Sequence, residues 1–284
     1  MRISLCAFAD EAAESITGQI AALLRNGIRK IELRSVDGVN VKDFSDEKAK
    51  EIACALKSAG ITVWSIGSPL GKSDIEADFA KEQEVLEKLL HLCEIFDCKK
   101  IRVFSFFTKE YASVRDEVIS RMQSLVAQAK KAGVTLYHEN EKDIYGDIAE
   151  RVSDLLDNVK GLASAYDPAN YVQVGESVEN MKKMVKRAGY YHIKDALRTG
   201  ELVPAGEGDG QIPALIESIE KDTTLTLEPH LKQFSGYASI DKHEMKNKYV
   251  FSSADEAFDT AADSLKKVLT ECGYTESEGE WIKK

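Results

Sequence analysis

The sequence predicts an α/β protein in which strands and helices alternate eight times along one domain. Short apolar runs rich in β-branched and aromatic residues occur at 3–8, 30–34, 61–66, 100–104, 134–137, 162–166, 189–191 and 224–227. Segments of helical length separate these runs, as buried parallel strands require. Eight such units favour a closed (β/α)8 barrel, the TIM barrel, over an open doubly wound sheet, and 284 residues suit a single barrel domain spanning 1–284.

The intervening helices are predicted from their periodic apolar positions and their end signals. They lie near 15–26, from Ser45 to Gly60, and near 78–96, 111–132, 148–156, 177–187, 213–220 and 254–271. Two long loops break the repeat: the glycine-rich segment 197–211, and 230–250 after the eighth strand, interpreted as a partial lid. Residues 273–284 are expected to form an acidic surface tail.

Composition excludes several classes of protein. The net charge of −10 argues against a nucleic-acid surface, which needs clustered Lys and Arg. There is no run of apolar residues long enough to cross a membrane, and Asp10 and Glu11 interrupt the first apolar run before a signal-peptide core could form. The five cysteines contain no C-x-x-C pair, which favours buried thiols in a reducing cytoplasm over disulfides or a zinc ribbon.

Four successive predicted strands end in a residue that can bind a metal or move a proton. These residues are Glu139, Asp167, His192 and Glu228. In a barrel the C-terminal ends of the strands converge on one mouth, where three unpaired carboxylates would repel one another. A divalent cation removes that repulsion. The mixed oxygen and imidazole set suits Mn²⁺ first, with Mg²⁺, Co²⁺ or Zn²⁺ as alternatives, and differs from a structural zinc site.

The same motifs resemble the xylose isomerase-like TIM barrels, and within them the sugar phosphate isomerase/epimerase group, also called AP endonuclease family 2. The resemblance rests on H-E-N at 138–140, D-P-x-N at 167–170, H-x-K-D at 192–195 and L-E-P at 227–229. Segments 8–11, 31–38 and 65–69 also look like this group, so the likeness covers nearly the whole chain.

The resemblance implies a metal-dependent isomerase or epimerase acting on a sugar or sugar phosphate. One divalent ion would be held by Glu139, Asp167, His192 and Glu228. Glu139 and Glu228 would act from opposite sides of a ketose: one removes a proton next to the carbonyl, the metal stabilises the resulting enediolate, and the other returns a proton. The resemblance also implies a dimer or tetramer.

Six further residues complete the expected substrate-binding site: Arg198, Lys194, Asn170, His230, Glu32 and His138. By the resemblance, Arg198 polarises a substrate oxygen, while Asn170 stands where related epimerases carry a histidine, and an amide cannot exchange a proton near neutral pH. Glu32 is expected inside the barrel, and His138 is expected to support the metal ligands. Lys194 and Asp195 stay open between substrate contact and a structural ion pair. The loop 206–210 stays open between a phosphate site and a turn, with the turn preferred.

Three other functions compete with the isomerase. An inosose-type dehydratase would use the same scaffold to expel water. An AP endonuclease of the three-zinc type would need more than the five histidines present. A non-catalytic sugar-binding barrel would keep the fold without turnover.

Overall fold

The computed structural model describes residues 1–234 and 244–283. Eight parallel strands form the barrel: β1 (Arg2–Ala7), β2 (Lys30–Leu33), β3 (Thr62–Gly67), β4 (Lys100–Val103), β5 (Thr135–Glu139), β6 (Ala163–Tyr166), β7 (Tyr190–Ile193) and β8 (Thr223–Leu227). Each strand pairs with the next, and β8 pairs with β1 from Ile3 opposite Thr223 to Ala7 opposite Leu227, which closes the sheet. The predicted barrel is confirmed.

The helices cover the outside of the sheet. They are α1 (Ile16–Arg25), α2 (Asp46–Ser58), α3 (Phe79–Ile95), α4 (Tyr111–Lys131), α5 (Ala149–Asn158), α6 (Pro168–Gln173), α7 (Val178–Val185), α8 (Ile212–Glu217) and α9 (Ala254–Glu271). Side-chain caps fix several starts; the Ser45 hydroxyl, for example, accepts from the Lys48 N–H, as predicted. The short helix α6 directly after β6 was not predicted.

Each strand end is fixed in place because the preceding helix packs its apolar stripe on the sheet. In α2 the buried stripe is Ala49, Ile52 and Leu56. Gly60 then adopts φ +69°, a left-handed conformation that lets the chain leave the helix and enter β3 without steric cost. Gly27 and Gly133 leave α1 and α4 in the same way, and the alternation of helix and strand brings all C-terminal strand ends to one face.

The C-terminal residues form a hairpin rather than a surface tail. Strands β9 (Tyr274–Ser277) and β10 (Glu280–Lys283) pair with each other, and β10 also pairs antiparallel with β1. Strand β2 pairs with β1 only at Cys6 and Ala7, so one edge of the first half of β1 remains open. The hairpin covers that edge, and Trp281 is buried there. The predicted surface tail is therefore wrong for residues 274–283.

Two loop predictions have mixed outcomes. The segment 197–211 is a loop, except that Leu202–Val203 pairs antiparallel with Asp195–Ala196, just before the segment. Of the predicted lid at 230–250, Tyr237 and His243 lie outside the described residues. In the described part of the chain, no helix is long and apolar enough to cross a membrane.

Candidate metal centre

The four predicted ligands meet at the C-terminal mouth of the barrel. Glu139 ends β5, Asp167 follows β6, His192 lies in β7 and Glu228 follows β8. All four are buried, and one ligand atom from each lies within 4.8 Å of the others. The sequence order of the strands is also their order in the sheet, so four consecutive strands present four donors to one point.

The local sequence explains the position of the Asp167 carboxylate. Asp167 caps helix α6: its Oδ1 accepts from the Asn170 N–H at 2.9 Å, and Pro168 occupies the first turn. The Asn140 side chain holds the backbone of Asp167 from the other side, accepting from its N–H at 2.9 Å and donating to its carbonyl at 2.8 Å. The second oxygen, Oδ2, is thereby directed to the centre of the cluster.

The donor set fits a divalent cation. Among the described residues, Asp167 Oδ2, His192 Nδ1 and Glu228 Oε2 have no hydrogen bond of good geometry although all three are buried. They nevertheless lie close together, with His192 Nδ1 at 3.0 Å from Glu228 Oε2 and 3.2 Å from Glu139 Oε1. Buried polar atoms that lack a hydrogen bond of good geometry are costly, and a cation bound by three carboxylates and one imidazole would satisfy them together.

Two buried arginines orient the two glutamates, and the sequence analysis missed both. Arg102 of β4 donates to Glu139 Oε2 at 2.7 Å, and Arg34, directly after β2, donates to Glu228 Oε1 at 2.9 Å. The opposite carboxylate oxygens, Glu139 Oε1 and Glu228 Oε2, face His192. Arg34 also binds Asp10 and Glu11, so it is the shared cation of a buried acidic group.

The surroundings set the charge of both glutamates. Burial alone would raise the pKa of Glu139, but His192 and Arg102 outweigh it and lower the pKa to about 2. For Glu228, burial is likewise outweighed by Lys194 and His192, and its pKa lies well below the ordinary value. Both side chains are therefore carboxylates at neutral pH, the form that binds a cation or accepts a proton.

Glu32 holds the far side of the His192 ring. Its Oε2 lies 3.4 Å from His192 Nε2, while its Oε1 accepts from the Tyr190 hydroxyl at 2.8 Å. A carboxylate behind a metal-binding imidazole fixes the orientation of the ring. The predicted interior position of Glu32 agrees with the structure, but its contacts are with His192 and Tyr190 inside the barrel.

A cavity of about 340 Å³ opens beside the cluster, and four predicted substrate-binding residues line it: Asn170, Lys194, Arg198 and His230. Asn170 Nδ2 lies 3.3 Å from Glu139 Oε1, and Lys194 Nζ lies 3.0 Å from Asp167 Oδ2. Arg198 is at the rim, where its guanidinium donates to the Glu176 carbonyl at 3.4 Å.

The charge state of Lys194 suits a hydrogen-bond donor. Burial would lower its pKa, but Asp167 and Glu228 raise it well above the ordinary value. The side chain is therefore a fixed ammonium ion beside the metal ligands and does not serve as a base.

His230 is held in a left-handed conformation, with φ 47°. Its N–H donates to Glu11 Oε2 at 2.7 Å, and its carbonyl accepts from Asn247 Nδ2 at 2.7 Å. These two contacts stabilise a backbone shape that a non-glycine residue rarely adopts, and they place the residue in the cavity wall.

The structure does not place His138 at the centre. Its Nε2 lies 2.9 Å from the Ser105 hydroxyl. Its ring packs so closely against Gly146 that a side chain at that position would clash with it. Burial lowers the pKa of His138 to about 4, so the ring is neutral. His138 faces Ser105 whereas Glu139 faces His192, because neighbouring residues of a strand face opposite sides of the sheet.

Asp195 is a structural residue that fills the glycine-rich loop. Its Oδ2 accepts from the N–H groups of Gly206 at 2.9 Å and Gly208 at 3.0 Å, and its Oδ1 accepts from those of Gly210 at 2.9 Å and Ala196 at 3.0 Å. The amides that could have bound a phosphate are thus already occupied by a carboxylate. Of the two readings left open for this loop, the structure supports the turn.

Comparison with known proteins agrees with this architecture. The family model described as the xylose isomerase-like TIM barrel matches residues 20–244. A search of curated proteins finds no match for the chain.

Three solved structures share the fold at low sequence identity. The probable 3-DHS dehydratase AsbF involved in petrobactin synthesis from Bacillus anthracis superposes with TM-score 0.70 at 20% identity, covering 94% of this chain and 99% of that one. The IOLI protein with a binding zinc atom gives 0.72 at 18%, covering 94% and 98%. The D-allulose 3-epimerase from Methylomonas sp. gives 0.73 at 17%, also covering 94% and 98%.

These structural likenesses establish the fold and leave the reaction open. The family model covers well over half of the chain, and its barrel architecture is the one that the structure has. The chain therefore belongs to the xylose isomerase-like TIM barrel family.

Proposed function

We propose that the protein is a divalent-metal-dependent isomerase or epimerase of a small hydroxy-ketone of the sugar class. The observation that carries the proposal is the set of four ligand atoms, within 4.8 Å of one another, at the ends of four successive strands. Glu139, Asp167, His192 and Glu228 would hold the ion, with Mn²⁺ as the first candidate and Mg²⁺, Co²⁺ or Zn²⁺ as alternatives. When bound, such an ion supplies Lewis-acid polarisation of a carbonyl oxygen.

Glu139 and Glu228 are suited to move the proton. They approach the centre from strands β5 and β8, on two sides of His192, and each has one oxygen fixed by an arginine. The oxygens that face the centre belong to ionised carboxylates and can accept a proton from carbon next to a carbonyl. One glutamate would remove that proton, and the other would return it to the opposite face or to the neighbouring carbon.

The neighbouring residues would hold the substrate. Asn170 lies beside Glu139 and can donate to a hydroxyl oxygen, and the Lys194 ammonium can stabilise negative charge that develops on a substrate oxygen. Asn170 has no proton to exchange near neutral pH. The proton transfer is therefore assigned to the two glutamates alone.

The proposal is tested by hydrogen exchange. Mn²⁺-loaded protein is incubated in D₂O with a panel of free and phosphorylated ketoses, and carbon-bound deuterium and product mass are measured. Deuterium incorporation without loss of water is expected, and the labelled carbon distinguishes epimerisation from isomerisation. A product lighter by one water would instead assign the protein to the dehydratases.

Matched variants separate the role of the glutamates from general damage. Glu139→Gln and Glu228→Gln are each expected to slow exchange by about 10²- to 10⁴-fold, the usual contribution of general acid–base catalysis. Glu176→Gln is the control, because Glu176 is also buried but binds backbone N–H groups of Ala149 and Ser177 away from the centre. Unchanged exchange in the Glu139 and Glu228 variants would refute the mechanism.

A further inference from the structure

Helices α1 to α4 end in the same backbone motif, and in α3 this motif joins two cysteines. The Cys98 N–H donates to the Cys93 carbonyl at 2.9 Å. The Asp97 N–H donates to the Glu94 carbonyl at 3.3 Å, and Asp97 itself is left-handed, with φ 50°. These two hydrogen bonds around a left-handed residue form a Schellman motif, which holds the end of a helix against the segment that follows it.

The side chains that this motif brings together are apolar in the other three helices. The first and last residues of a Schellman motif commonly make a hydrophobic contact. These pairs are Leu23 with Ile28 in α1, Leu56 with Ile61 in α2 and Ala129 with Val134 in α4. In α3 both positions carry a thiol instead, so the same packing position holds two groups that can react with each other.

The backbone allows a disulfide between these two cysteines. The Cys93 carbonyl oxygen and the Cys98 nitrogen are 2.9 Å apart, so standard bond lengths keep the two Cα atoms within about 7 Å of each other. Native disulfides bridge Cα atoms at separations up to about that distance. The two thiols already interact through a side-chain hydrogen bond. The pair therefore meets the distance requirement for a disulfide while α3 stays folded.

The two thiols are buried beneath one exposed turn. Cys93 and Cys98 are each 1% exposed, whereas Glu94, Asp97 and Lys99 around them are exposed. Cys93 lies in the last turn of α3. The end of a helix opens locally at a much lower cost than the unfolding of the whole domain. A small oxidant therefore reaches the pair when the last turn of α3 opens.

The local contacts make Cys98 the more reactive thiol. Its hydrogen bond with Cys93 lowers the pKa of Cys98, against the effect of burial, and the same bond raises the pKa of Cys93. The thiolate is the form of cysteine that attacks an oxidant. We therefore expect Cys98 to react first and Cys93 to attack the oxidised sulfur.

We propose that Cys93 and Cys98 are a redox modification site, where hydrogen peroxide converts the two thiols into a reversible disulfide that locks the end of α3 to the segment before β4. The Cys98 thiolate attacks one peroxide oxygen, the O–O bond breaks and hydroxide leaves, which gives a sulfenic acid. The Cys93 sulfur then attacks the Cys98 sulfur, the S–S bond forms and a second hydroxide leaves. With the protons of the two thiols both hydroxides become water, so the thiols are oxidised and the peroxide is reduced.

This pair is separate from the metal centre. Cys98 precedes β4 at the amino end of the barrel strands, whereas the four candidate metal ligands lie at the carboxyl ends. Oxidation of the pair therefore needs neither the metal nor the substrate of the proposed function.

The test uses the whole chain and measures peptide mass. Cys93 and Cys98 lie on one tryptic peptide, residues 89–99, because trypsin cleaves after Lys88 and Lys99. Hydrogen peroxide is added until Cys54, which is exposed, is oxidised; free thiols are then blocked with N-ethylmaleimide and the protein is digested. We expect peptide 89–99 to lack the blocking group and to be about 2 Da lighter than its dithiol form, and dithiothreitol should restore both thiols.

Single variants test the order of the two steps. In Cys93→Ala, Cys98 should stop at the sulfenic acid and react with dimedone. In Cys98→Ala, Cys93 should give about tenfold less dimedone adduct, because less of it is thiolate. Cys54→Ala is the matched control, since it removes an exposed cysteine outside the pair, and it should leave the disulfide yield as in the wild type. In the oxidised wild type, amide hydrogen exchange at Asp97 and Cys98 should slow about tenfold or more.

The possible results decide each part of the proposal. Free thiols on peptide 89–99 when Cys54 is fully oxidised, a disulfide that joins this peptide to another one, or sulfinic acid in place of the disulfide would each overturn the modification site. Equal dimedone labelling of Cys93→Ala and Cys98→Ala would overturn the order of the steps, and unchanged amide exchange in the oxidised protein would overturn the lock. A disulfide within peptide 89–99 in both the wild type and Cys54→Ala would support the site.

Discussion

Replacing Asp195 with asparagine tests whether the glycine-rich loop is built around a carboxylate. Each Asp195 oxygen accepts from two backbone N–H groups at 2.9–3.0 Å; Ala196 and Gly210 are buried, whereas Gly208 is half-buried and Gly206 is exposed. In Asp195→Asn one oxygen becomes an NH₂ group, so two N–H groups lose their acceptor whichever way the amide is turned. A buried donor without a partner costs about 1–3 kcal/mol, which gives about 2–6 kcal/mol for the pair.

The lower end of that range is the expected result, because Gly206 is exposed and water can replace part of the acceptor that it loses. Burial raises the pKa of Asp195, even though backbone N–H groups of Gly210, Gly208 and Gly206 act to lower it. A neutral amide avoids the desolvation cost of the carboxylate and so recovers part of the loss. We therefore expect Asp195→Asn to lower the free energy of unfolding by about 2–3 kcal/mol. The corresponding decrease in Tm is about 4–6 °C for a chain of this size.

Urea unfolding followed by fluorescence and circular dichroism measures this difference. Asp209→Asn is the matched control: its Oδ2 accepts from the N–H of Arg198 at 2.8 Å in an exposed setting, so its loss should cost less than about 1 kcal/mol. Amide hydrogen exchange at Gly206 and Gly208 should accelerate in Asp195→Asn and stay slow in Asp209→Asn. Equal stability of the two variants would show that Asp195 does not hold the loop.

Three further predictions address the interior and the metal. Arg34→Met should lower the free energy of unfolding, measured in urea, by about 3–5 kcal/mol, because the carboxylates of Asp10, Glu11 and Glu228 lose their shared buried cation. An unchanged free energy of unfolding would contradict this role of Arg34. Metal affinity should fall as the pH drops below about 7, because burial raises the pKa of Asp167 to about 7 and the metal must then displace its proton. Calorimetry in two buffers of different ionisation enthalpy should detect proton release on metal binding at pH 6. No proton release would count against Asp167 as a ligand. Trp281→Ala should lower the free energy of unfolding by about 3–5 kcal/mol, as for other buried aromatic residues. The control Thr275→Ala, at an exposed position of the same hairpin, should change it by less than about 0.5 kcal/mol. Equal effects of the two variants would mean that the hairpin adds nothing to the stability of the barrel.

The barrel and the convergence of its four candidate ligands could be predicted because both leave local signals. Each strand is a short apolar run, and each ligand stands at or just after the end of a run, so chain order alone brings Glu139, Asp167, His192 and Glu228 to one face. The C-terminal hairpin also had a signal that was missed. Residues Glu278 and Gly279 both have positive φ and separate two extended segments, as in a two-residue hairpin turn.

The contacts of Arg34 and Arg102 could not be predicted from local pattern. Arg34 and Glu228 are 194 residues apart, and nothing in either segment names the other as its partner. The available signal was an arginine in or directly after an otherwise apolar strand. A buried arginine requires a buried carboxylate as partner, but the sequence does not show which carboxylate it is. His138 shows the opposite case: strand alternation is a local signal that puts it and Glu139 on opposite sides of the sheet, as the structure has them, although the sequence analysis assigned His138 to the substrate-binding site.

The side chains of the centre and those of the cavity differ in charge, and this difference would orient a bound substrate. Carboxylates dominate at the strand ends and cations at the rim, with the Lys194 ammonium at the boundary between them. Arg198 lies in the loop that joins the two strands of the ribbon, Asp195–Ala196 and Leu202–Val203, so the carboxylate inside the glycine-rich loop also supports the rim. Asp195→Asn should therefore raise the KM for any ketose that the hydrogen-exchange assay identifies, as well as lower stability. Loss of stability with an unchanged KM would mean that Arg198 is positioned independently of that loop.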